Sequence, residues 1–245
     1  GDDLPEVIYA SNFASYGDNA NGAGWYVNAG YALQPANSGS GCRIMHNQGA
    51  FAEDLVYIAQ RDAANGVAVY GIDENKLTLE AGKTYHVTLK ACRHDRTDVA
   101  LRVQVLPEEA VNPDDGSVWD ASAILAEDFQ IIPYEKSSRQ YVAFDLAVTP
   151  SEAGNFVIRL VSSKENGSFA GFDDAICFGD VKVEYIPNVL GIVETNALLA
   201  ALANAKDVFE ANIDERYHGV TLTALDNLIK EVEDNMASYS ATSIY

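Results

Sequence analysis

AGKTYHVTLKACR, residues 81–93, decides how the chain folds. A Gly turn leads in, and then Tyr85, Val87, Leu89 and Ala91 alternate with His86, Thr88, Lys90 and Cys92. That period of two, rich in β-branched and aromatic residues, is the pattern of a half-buried strand. The same grammar returns in EAGNFVIRLV from Glu152, where Phe156, Ile158 and Leu160 alternate with Val157, Arg159 and Val161. VALRVQVL from Val99, QYVAFDLAV from Gln140 and AICFGDVKVEYI from Ala175 alternate likewise. Shorter apolar runs follow Glu6, Gly24, Cys42, Asp54 and Gly66, separated by loops of Gly, Asn, Asp and Ser. Many short strands with frequent turns and no helical period between them predict an antiparallel jelly-roll β-sandwich over residues 1–187.

At Pro187-Asn188 the period changes. Leu198, Leu202, Ala205 and Phe209 recur at helical spacing after a Thr195 cap, and Leu222, Leu225, Leu228 and Val232 follow Thr221. Residues 188–245 are therefore expected to form a small α-helical hairpin. Its third helix, beginning near Ser240, is expected to continue in a longer chain.

The 245 residues are enough for one large sandwich and a small second unit, and 48% hydrophobic content is that of a packed protein. A formal charge of -20 repels phosphate backbones and anionic lipid, so neither nucleic acid nor membrane insertion is expected. Gly1 before Asp2-Asp3 reads as a processing scar, which points to an extracytoplasmic chain. Cys42, Cys92 and Cys177 lack C-x-x-C spacing, against a zinc or redox motif. Cys92 and Cys177 share the polar phase of their strands; a disulfide between them is compatible with this, and partly buried thiols are the expected state.

Catalytic signatures are missing. The chain has no G-x-S-x-G, no H-E-x-x-H and no phosphate-binding Gly loop. The acidic doublets Glu108-Glu109, Asp114-Asp115 and Asp173-Asp174 place neighbouring carboxylates on opposite strand faces, not across a sugar. His86, Arg93 and His94 supply one enzymatic alternative, a polysaccharide lyase with histidine as base and arginine against a uronate.

Sugar recognition needs a flat aromatic face with polar groups beside it. Trp119, in the long acidic connection Pro107–Ser122, is the leading ligand residue. Tyr31 and Tyr57 border polar loops, Arg93 and His94 end the quoted strand, and Phe172 with Asp173 forms a further ligand loop. Trp25, behind a Gly turn, is expected in the core.

The framework EAGKTYHVTLKA, QYVAFDLAVTPSEAGNFVIRLVSS and GFDDAICFGDVKVEYIP resembles the galactose-binding-like jelly rolls that serve as carbohydrate-binding modules in secreted proteins of glycan-degrading bacteria. The tail, with Tyr217-His218-Gly219, is similar to three-helix FIVAR-type modules. The resemblance implies a non-catalytic module that binds oligosaccharide or polysaccharide beside the adjacent domains of a longer secreted or surface protein. It needs no catalytic cofactor. It also implies a structural calcium at Asn12, Asp18 and Asp180, although Ala14 stands where relatives often carry Glu. A structural or adhesive module that contacts protein is the rival expectation.

Overall fold

The structure, a computed structural model, describes residues 4–13, 24–28, 32–36, 43–45, 55–58, 66–93, 99–132, 141–167 and 176–187, with 200, 201, 203, 204, 227 and 230. Glu6–Tyr185 forms one compact unit, and Gly1–Pro5 with Ile186–Tyr245 forms another.

The first unit is an antiparallel β-sandwich of thirteen strands among the described residues: β1 Glu6–Ser11, β2 Trp25–Asn28, β3 Leu33–Pro35, β4 Arg43–Met45, β5 Leu55–Ile58, β6 Gly66–Tyr70, β7 Leu77–Leu79, β8 Tyr85–Arg93, β9 Val99–Pro107, β10 Ala126–Ile132, β11 Val142–Val148, β12 Gly154–Lys164 and β13 Ile176–Tyr185. One sheet runs β11-β8-β13-β5-β4, with β1 also on β13. The other runs β10-β9-β12-β6-β2-β3, with β7 also on β12. The quoted strand, β8, lies between β11 and β13.

Alternation turns Tyr85, Val87 and Leu89 of β8 inward with Phe144 of β11 and Val183 of β13. They pack in one apolar interior with Leu101, Val103 and Val105 of β9 and Ile158 and Leu160 of β12. Each large side chain so buried contributes roughly 1.5–3 kcal/mol. Trp25 is fully buried, as its position behind a Gly turn predicts, and its indole N–H donates to the Tyr9 hydroxyl at 3.0 Å. Burial therefore leaves no orphaned donor. Tyr9 in turn stacks on Tyr70 with ring centroids 4.0 Å apart. Along one side, Gln130 of β10 donates across to the Ala143 carbonyl of β11 at 3.0 Å, linking the edges of the two sheets.

Two strands depart from the sequence reading. Leu77–Leu79, read as part of a turn, pairs with Gly154–Phe156 as β7. Ala126–Ile132, past the Pro107–Ser122 connection and not read as a strand, pairs along β9 as β10. Cys92 and Cys177, expected to be partly buried, are both fully buried thiols.

The helical hairpin predicted for residues 188–245 falls almost wholly outside the described residues. The six that are described, Ala200, Ala201, Ala203, Asn204, Asn227 and Lys230, are helical. No helix of that hairpin is described over its length, and the likeness of the tail to three-helix modules gains no support from these positions.

Candidate functional site

The second sheet carries its most distinctive chemistry on its outer face. Glu127 of β10, Gln104 of β9 and Arg159 of β12 are successive register partners, so three polar side chains stand in a row across three strands. Arg159 Nη1 donates to Gln104 Oε1 at 2.7 Å, and Gln104 Nε2 donates to Glu127. Arg102 donates to the other oxygen of Glu127, and its guanidinium lies 4.7 Å from the centroid of the Phe129 ring. Arg159 completes its inner contacts by donating Nε–H to the Gly116 carbonyl at 2.7 Å. Burial pulls the Arg159 pKa down to about 10, opposed by the nearby Asp115 charge. Even so lowered, Arg159 remains a cation at neutral pH.

Gly116 belongs to a strap, residues 108–125, laid over this face. The strap opens with a 3-10 turn at Glu108–Ala110 and closes with another at Ala121–Ala123. Val111 bridges to Val118 between them. Its tip is tied internally: Asp114 N–H donates to Asn112 Oδ1 at 2.9 Å, and Ser117 N–H donates to Asp115 Oδ1 at 2.8 Å. Gly116 sits at φ 72°, a left-handed conformation that glycine adopts without cost. A Cβ there would come within 3.0 Å of Val67 Cγ1, so the close approach to the sheet also requires glycine. The tip is fastened to β2 and β3 as well, by Asn28 Nδ2 to the Asp115 carbonyl at 3.1 Å and Leu33 N–H to the Asp114 carbonyl at 2.6 Å. Beneath the strap, Ala110 and Val111 pack on Val67, Val69, Val157 and Val161.

Trp119 stands on this strap and is 64% exposed. Its backbone is fixed, because Trp119 N–H donates to the Ala110 carbonyl at 2.8 Å and the next residue, Asp120, caps the following turn. Asp120 accepts from the Ser122 amide at 2.9 Å and the Ser122 hydroxyl at 2.6 Å. Those bonds hold its carboxyl below the usual aspartate value of 3.8, and bonds from Ser117 do the same for Asp115.

The outer face of the first sheet is ion-paired. His86 meets Asp145 at 3.0 Å, Lys90 meets Asp180 at 3.3 Å and Lys182 meets Glu184 at 2.7 Å. Arg93 follows His86 by an odd number of residues on β8, so the two belong to opposite faces, and Arg93 is buried. The lyase arrangement of a His base beside an Arg clamp is therefore not formed by His86 and Arg93.

Tyr57 occupies the register position opposite Cys177 on β5. Tyr31, His94, Phe172 and Asp173 lie outside the described residues, as does Asp18. Asn12 follows directly on Ser11, the register partner of Val181, so the chain brings it alongside Asp180. Calcium takes six or more oxygen ligands. The Asp180 carboxylate faces the Lys90 ammonium, and no group of three or more His, Cys, Asp or Glu placed to hold a metal ion occurs among the described residues.

Arg159 and the Gln104–Glu127 row escaped sequence reading. Their one signal was that Val157 and Val161 share the phase of Arg159, marking an outer face that something covers.

No family model matches the chain, and no curated protein matches it. Among solved structures, it is similar to the CBM22-1 xylan-binding domain of Paenibacillus barcinonensis Xyn10C, at 8% identity over 77% of this chain and 100% of that one, with a TM-score of 0.46. It is similar to the CBM22-1–GH10 modules of the Clostridium thermocellum endo-1,4-beta-D-xylanase 10B, complexed with xylohexaose, at 11% identity and a TM-score of 0.46. That match covers 73% of this chain and 28% of the xylanase chain. A cyclase from Fischerella sp. TAU reaches a TM-score of 0.47 at 12% identity, over 75% of this chain and 98% of that one. Likenesses this distant bear on neither ligand nor activity.

Proposed function

We propose that the Glu6–Tyr185 sandwich is a non-catalytic glycan-binding module of a larger secreted or cell-surface protein. The observation that carries this reading is Trp119, an exposed indole on a backbone held at both sides. Exposing so large an apolar ring gains nothing for folding. Holding it still in advance lowers the entropic cost of laying it against the C–H face of a sugar ring. Asp120, next to it, offers a carboxylate as acceptor for sugar hydroxyls. A net charge of -20 favours neutral saccharides over anionic ones.

A protein-contacting adhesive module is the second reading, favoured by Leu125 at 41% exposure on the same strap and Ile131 at 42% on β10. A glycan array read with calcium and again with chelator separates the two. The proposed function expects reproducible oligosaccharide binding, weakened about tenfold or more by Trp119→Ala with the thermal midpoint unchanged. Silence across the array, with a partner protein whose binding also needs Trp119, favours the adhesive reading.

A further inference from the structure

Cys92 of β8 and Cys177 of β13 are direct register partners, flanked by the pairs Ala91–Phe178 and Arg93–Ile176. Both lie on the outer phase of their strands, since Ala91, Ile176 and Phe178 belong to the interior. Both are fully buried, and both are thiols in the structure. Directly opposed residues of an antiparallel pair stand about 4.5–5.5 Å apart at Cα with side chains on one face. Disulfides span Cα separations of about 4.4–6.8 Å. The register thus puts the two cysteines within the Cα range that a disulfide spans.

We propose that Cys92 and Cys177 close a cross-strand disulfide when the chain folds in oxidising surroundings. The oxidant is a low-molecular-weight or protein disulfide. One cysteine loses its proton and its thiolate attacks a sulfur of that disulfide, expelling the oxidant's other half as a thiolate and leaving a mixed disulfide. The second cysteine, also deprotonated, attacks the sulfur of the first. The Sγ–Sγ bond forms as the remaining half of the oxidant departs as a thiolate. The pair is oxidised by two electrons, the oxidant is reduced by two, and the two protons pass to the released thiolates. Burial sets the timing: exchange takes place while β8 and β13 are pairing, and the finished bond is shielded from reductant. With the proposed function the bond shares only the oxidising compartment, so a thiol count and a glycan titration can fail separately.

The test refolds the denatured full chain in mixed reduced and oxidised glutathione, then alkylates it in denaturant. Intact mass and peptide mapping follow, for the wild type and for Cys42→Ser. The expected result is a peptide linking Cys92 to Cys177, a Cys42→Ser product that takes up no alkylating agent, and a thermal midpoint lowered by ~10 °C on full reduction. Two alkylated cysteines in folded Cys42→Ser, glutathione adducts in place of the linked peptide, or a peptide joining Cys42 to either partner in the wild type would overturn the proposal.

Discussion

Asp115 and Asp120 act through hydrogen bonds that are strongest while they are ionised. Each accepts from a serine two positions on, and those bonds hold both carboxyls below the usual 3.8. A carboxyl with a lowered pKa in the folded chain lends stability above the unfolded value and loses it as pH falls through its own. Asp120 is exposed and Asp115 half-buried at the strap's tip, so the effect stays local to the strap. Carboxyl-carbon NMR titration should give midpoints below 3.8 for both residues, with faster exchange of the Ser117 and Ser122 amides in the same acid range. Midpoints at or above that value would remove these bonds from the account. At this scale the sequence was partly legible. The two tryptophans separate as their surroundings predict, Trp25 buried and Trp119 exposed. Arg159 does not follow its letter, because an arginine on the outer phase is desolvated only when another segment covers it. Strand alternation carries no record of that cover.

Gly71 shows what a connecting element demands. It follows β6 at φ 105°, and a Cβ there would lie 2.5 Å from the Phe156 carbonyl of β12. Gly82, at φ 75° before β8, has nothing within 4 Å of such an atom. Gly71→Ala should cost ~3 kcal/mol or more, or prevent folding, whereas Gly82→Ala should cost ~1 kcal/mol from its backbone alone. Urea unfolding midpoints measure the difference, and equal losses would contradict it. Among the elements, β8, β9, β11, β12 and β13 were legible because one phase of each is mostly apolar. β10 was not, for its inward phase reads Ala126, Asp128, Gln130, Ile132. Polar groups facing inward are characteristic of an edge strand, and here Gln130 serves the seam to β11. β7 is too short to show a period.

Charge governs the molecule as a whole. Against a formal net charge of -20, the lysine ion pairs on the outer face of the first sheet are partly exposed and worth about 0–1 kcal/mol each. Self-repulsion spread over the surface outweighs them, and salt screens it. The thermal midpoint should therefore rise by a few degrees between about 0.01 M and about 0.5 M sodium chloride. A flat or falling midpoint in a calorimetric salt series would assign the larger share to the ion pairs. The two-sheet plan was legible because alternation recurs from strand to strand. The order of strands within each sheet was not, since it depends on pairings between segments remote in the chain.

The strap rests on an apolar cluster of its own, Val67, Val69, Val157 and Val161 under Ala110 and Val111, on the opposite side of the sheet from the interior. A segment seated this way can be rewritten while the residues between the sheets keep their mutual fit. Evolution or a protein engineer can graft new recognition chemistry there by conserving one small patch of valines.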